Sequence, residues 1–111
     1  MTVCVVSAEV PIARDEALHL RPLVELVARA QQFKSRVVIS RGKRSADAKE
    51  MMPVIQLAPE HGGVRLQAEG EDAREVIAAL AAIIDQAVQR VMAEEAQPQN
   101  GAGEGTTRGD P

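Results

Sequence analysis

The sequence predicts one small α/β domain in which an antiparallel sheet carries its helices on one face. Three observations lead there. Alternating apolar residues recur at "VSAEVPIA" and "VRLQAE", and "RVVIS" is a short β-branched run. Apolar residues recur at helical spacing after Leu20 and again after Gly70. A glycine turn at "RGK" separates two short segments that can pair as a hairpin. The order is β-α-β-β-α-β-α.

The first strand places Val6, Ala8, Val10 and Ile12 on one face. Pro11 cannot donate a ladder hydrogen bond, so this strand belongs at a sheet edge. From Leu20 to Gln32, Leu23, Leu26, Val27 and Ala30 form a helical stripe. Pro22 is tolerated only in the first turn, which puts the helix start at Leu20 or Arg21. Arg36 to Ser40 is β-branched and short, and "RSADA" can return as its hairpin partner. Glu50 to Leu57 reads as a short helix with Pro53 in its first turn. Val64, Leu66 and Ala68 alternate in a further strand. The last helix follows, with Glu71, Asp72 and Glu75 at the positive end of its dipole. Its stripe runs from Val76 through Leu80 and Ile84 to Val88, Val91 and Met92.

The chain has 111 residues, enough for one domain, and 45% of them are hydrophobic. Residues 1–96 form the domain in this reading, and the Gly/Pro-rich residues 97–111 a disordered tail. Phe33 is the only aromatic residue, which argues against base-stacking surfaces. The net charge of -3 argues against bulk nucleic-acid binding. Cys4 is the only cysteine, which rules out an internal disulfide and a cysteine-based zinc site. No stretch approaches the roughly 20 apolar residues of a membrane span. "MTVCVVSAEVPIARDE" lacks a basic start and reads as a strand rather than a signal peptide. A cytoplasmic protein is the resulting expectation.

His19 stands directly before the first helix. There the orphan backbone N–H groups and the helix dipole favour an anion. A neutral imidazole is also a nucleophile. A phosphoryl group moved onto His19 would sit over those donors, and Arg21 could add a charge-assisted hydrogen bond. On these residues alone, an ordinary helix-start histidine accounts for the pattern as well.

The segment "ALHLRP" resembles the phosphorylation motif of the HPr phosphocarrier family, Gly-Leu/Ile-His-x-Arg-Pro. "GKRSADAKEMMPVIQL" resembles that family's second-helix region, and "LQAEGEDAREVIAAL" its last strand and last helix. The resemblance runs without a net gap from Val6 to Ile84. It implies an open-faced sandwich with strand order 1-4-2-3 and three helices on one face. His19 then matches the histidine that takes a phosphoryl group on Nδ1 from phosphorylated Enzyme I. The group passes to an Enzyme IIA-type acceptor in sugar uptake. Arg21 matches the arginine that contacts the phosphoryl group and the partners. No cofactor or metal is implied, and the protein is a carrier rather than an enzyme.

Glu50 occupies the position at which many relatives carry a regulatory serine. It cannot be phosphorylated, and the dipole at a helix start accounts for an acidic residue there. Leu20, Leu23, Met51, Met52 and Ile55 fall where the resemblance implies a partner-binding surface. Leu20 and Leu23 are bulkier than the residues usual beside the active histidine, and Ala17 replaces the motif's glycine. These departures, with Glu50 and the extended last helix, motivate the alternative of a regulatory binding module that docks onto a kinase, transcription factor or metabolic enzyme. His61 in "PEHGG" reads as a solvated turn residue, and Arg41, Lys43 and Arg44 as a solvated face. Arg14 and Lys49 widen a basic rim. The stripe through Ala87, Val88, Val91 and Met92 packs on the domain or on a second copy.

Overall fold

A computed structural model of the chain describes residues 4–96. The tail expectation for 97–111 lies outside these residues. Four strands are present: β1 (Val5–Val10), β2 (Arg36–Arg41), β3 (Arg44–Asp47) and β4 (Val64–Glu69). Helices α1 (Leu20–Ala30), α2 (Met51–Ile55) and α3 (Ala73–Ala96) alternate with them, and a 3-10 turn (Asp15–Ala17) precedes α1. The strands form one antiparallel sheet in the order β1-β4-β2-β3. This is the topology the resemblance implies, and β1 lies at the edge as Pro11 requires.

Register puts the alternating apolar residues on one face. Val6 and Val37 both stand opposite Ala68, and Ala8 and Ile39 both stand opposite Leu66. The core forms between that face and the helices, with Leu23, Leu26, Val37, Ile39, Leu66 and Leu80 fully buried. Helix α1 ends at Ala30 rather than Gln32, because Gln31 to Ser35 turn the chain back into β2.

Helix α3 starts where Asp72 accepts from the backbone amides of Lys34 and Ser35, both at 2.8 Å. These residues follow the end of α1, so α3 runs back antiparallel to α1. The Ser35 hydroxyl, then the two amides, hold the Asp72 carboxyl below the ordinary 3.8. The Ser35 hydroxyl is buried, and the two amides make the short contacts. Gly70, just before, has φ +146°, and a Cβ there would lie 2.4 Å from Ser35 Oγ. Only glycine allows this backbone angle and this close approach.

One expectation needs correction. Residues Ala73–Glu94 of α3 are long and apolar enough to cross a membrane, the mean hydropathy reaching 1.5 over an 18-residue stretch. Length and composition alone do not place them in one. Val76, Leu80 and Ile84 are fully buried against α1 and the sheet, so core packing accounts for the apolar stripe.

Candidate functional site

The connection from β1 to α1 positions His19. Pro11 ends the ladder, the 3-10 turn bends the chain, and Leu18 anchors it in the core at 2% exposure. His19 is then the N-cap of α1, in an extended conformation (φ -100°, ψ -169°), with an exposed side chain that makes no capping hydrogen bond. Its carbonyl accepts the first intrahelical bond, from Leu23 N–H at 3.4 Å. The N–H groups of Leu20 and Arg21 lie outside that ladder, and Pro22 has none to offer. The exposed imidazole therefore stands at the positive end of an 11-residue helix, beside amides that have no acceptor among the described residues, and beside the exposed Arg21. Chemically this is a nucleophile next to an anion cradle.

The residues proposed to bind partners separate into three groups by exposure. Leu20 and Met52 are exposed, at 56% and 66%, and Val24 joins them at 38%. Met51 and Ile55 are half-buried, with Met51 packed on the core cluster. Leu23 is fully buried, so it cannot contact a partner. It falls on the stripe with Leu26, Val27 and Ala30, whereas Leu20 and Val24 occupy the outward face. Ala17 is fully buried within the 3-10 turn, where alanine is accommodated. Glu50 is exposed and serves as the N-cap of α2 without a side-chain capping bond. Lys49 Nζ donates to Phe33 O at 2.7 Å, and Arg14 pairs with Glu16 at 3.1 Å.

Arg41 also differs from expectation, whereas His61 is solvated as expected. Arg41 is 1% exposed and is not part of a solvated face. Its Nε donates to Gly62 O at 3.0 Å, and its Nη1 to Leu57 O and Ala58 O, both at 3.2 Å. Its Nη2 donates to Asp15 O at 3.3 Å and Asp15 Oδ1 at 3.2 Å. One guanidinium thus ties the turn before His19 to the end of α2 and the approach to β4. Strand parity was the available signal, because Val37, Ile39 and Arg41 share a face and the first two are core.

His61 is exposed, yet its Nδ1 donates to Asp15 Oδ2 at 2.8 Å. Gly62 N–H donates to Asp15 Oδ1 at 3.1 Å. The His61 hydrogen bond and the Gly62 amide, with the charge of Arg41 beside them, hold the Asp15 carboxyl below the ordinary 3.8. Among the described residues, no three His, Cys, Asp or Glu side chains converge as metal ligands would.

Comparison with known proteins gives this geometry a context. The family described as "PTS HPr component phosphorylation site" matches residues 6–86. The phosphocarrier protein HPr of Haemophilus influenzae is 33% identical over 79 residues, covering 70% of this chain and 93% of that protein. The HPr-like protein Crh of Bacillus subtilis is 32% identical over 84 residues, covering 75% and 99%. The crystal structure of a phosphocarrier protein HPr from Bacillus anthracis superposes with a TM-score of 0.64 at 30% identity, over 72% of this chain and 96% of that one.

Proposed function

Because the chain belongs to the HPr family of phosphocarrier proteins, we propose that it carries a phosphoryl group on His19, from phosphorylated Enzyme I to an Enzyme IIA-type acceptor. The observation that carries this reading is the exposed, uncapped imidazole of His19 beside the free amides at the start of α1. In the transfer, the Nδ1 lone pair of His19 attacks phosphorus and forms an N–P bond. The N–P bond of the donor phosphohistidine breaks, and its electron pair returns to the donor's ring. The phosphoryl oxygens keep their charge throughout. That charge meets the Leu20 and Arg21 N–H groups, the helix dipole and the Arg21 guanidinium.

The carrier contributes little catalysis alone; it presents a nucleophile in a prearranged anion site. Leu20 and Met52, with Val24 and the partly covered Met51 and Ile55, form the apolar rim on which a partner closes. A cytoplasmic location accords with such partners. Incubating the chain with Enzyme I and phosphoenolpyruvate should add the mass of one phosphoryl group. The gain should be acid-labile and absent from His19→Ala. No gain with the cognate Enzyme I would sink the reading.

Glu50 favours a second reading. An exposed carboxylate stands at the N-cap of α2, in the position of the family's regulatory serine. A regulatory module built on the same fold would carry a fixed charge there, and the likeness to the HPr-like protein Crh supports it. This reading requires a partner whose capture survives His19→Ala; loss of every partner in that variant counts against it.

A further inference from the structure

The family match ends at residue 86, but α3 continues to Ala96. The helix runs antiparallel to α1 from its anchor at Lys34 and Ser35, and it packs on the 3-10 turn before His19. The continuation therefore passes the start of α1. Ala87 and Val88 are buried there, at 5% and 7% exposure, yet lie outside the main core cluster. One turn on, Arg90 projects from the exposed side. With Arg21, Val24 and Glu25 it lines an open depression of about 470 Å³ between α1 and α3.

The chemistry of this depression is specific. Two guanidinium groups face one carboxylate, which leaves a positive surplus, and neither Arg21 nor Arg90 has an ion pair among the described residues. Glu94, one turn beyond Arg90, is exposed and makes no ion pair among them either. Val24 gives the depression an apolar wall that is 38% exposed. A protein docking over His19 would cover Val24 and remove water from Arg90. A desolvated guanidinium is costly unless a carboxylate meets it, and its planar fork suits a bidentate carboxylate.

We propose that Arg90 is a specificity-determining residue of the phosphoryl-exchange face, supplied by the continuation of α3 and paired with a carboxylate of the phosphohistidine protein that loads His19. This rests on the phosphocarrier reading above. Arg90 lies on the flank of α1 beside Val24 and Glu25, so it reads the partner rather than the transferred group. Its contribution belongs to docking and not to the chemical step.

The test is steady-state transfer from the cognate Enzyme I and phosphoenolpyruvate to the full chain, with the carrier concentration varied. Arg90→Glu should raise KM about tenfold and leave kcat within about twofold. The gap from wild type should narrow as salt rises. Arg90→Lys should recover most of the loss. Arg74→Glu makes the same charge change at the far end of α3 and should leave KM unchanged. Equal thermal midpoints for the two glutamate variants would show that folding is not the cause. The proposal is overturned if Arg90→Glu and Arg74→Glu agree within about twofold in KM, or if the loss falls on kcat. Wild type that accepts no phosphoryl group removes the phosphocarrier reading and this inference together. Normal transfer by wild type with an indifferent Arg90→Glu removes this inference alone.

Discussion

Replacing Arg41 with methionine removes a buried cation and keeps much of its volume. The guanidinium makes five hydrogen bonds, to Gly62 O, Leu57 O, Ala58 O, Asp15 O and Asp15 Oδ1. The contact with Leu57 O is buried, and the others are partly so. Leaving a buried carbonyl unpaired costs about 1–3 kcal/mol. Water can reach the partly buried acceptors, so each of those losses is about 0.5–1.5 kcal/mol at most. Against this, methionine avoids the cost of burying a charge. The net expectation is a destabilisation of about 3 kcal/mol. Urea unfolding of wild type and Arg41→Met, followed by circular dichroism, measures it as a lower midpoint with an unchanged slope. His19 should also accept phosphoryl groups more slowly, because the turn before it loses its tie to α2 and β4. A loss under about 1 kcal/mol would refute the argument that this guanidinium holds the loops together.

Leu23 and Met52 should separate stability from docking. Leu23→Ala should cost about 2–5 kcal/mol through a core cavity, whereas Met52→Ala should leave the unfolding midpoint in place and raise KM for Enzyme I; unfolding curves and transfer kinetics on both variants check the contrast. Two of the depressed carboxyls, Asp15 and Asp72, tie distant segments together and bear on the acid limit. Asp15 and Asp72 have folded values below the ordinary 3.8, so their stabilisation is complete above that value. It is lost as pH falls through the lowered folded values. Asp72→Asn should therefore flatten the fall in the urea midpoint on acidification, and an unchanged profile would contradict its anchoring role.

The strands and the start of α1 were legible because they obey local rules. Pro22 can sit only in a first turn, Pro11 only at an edge, and the alternation of β4 fixed its face. The resemblance around "ALHLRP" pointed to the candidate site. What escaped were residues whose roles depend on distant chain. Arg41 follows the inward parity of Val37 and Ile39, but its acceptors come from segments 16 to 26 residues away. Asp15 draws its partners from Gly62 and His61, 47 and 46 residues on. Motif position puts Leu23 on the partner surface, whereas its own helical stripe points to the core. Arg90 needed the antiparallel course of α3 before it could be placed beside Arg21.

The central claim is that His19 carries the phosphoryl group. The chain has two histidines, His19 and His61, so the carrier atom can be observed directly. Long-range proton–nitrogen NMR spectra of the 15N-labelled chain, before and after incubation with Enzyme I and phosphoenolpyruvate, resolve both rings. The Nδ1 resonance of His19 should shift with a coupling to phosphorus, while no such coupling appears at His61. Phosphorus coupled to His61, or no phosphorus-coupled histidine resonance at all, would contradict it.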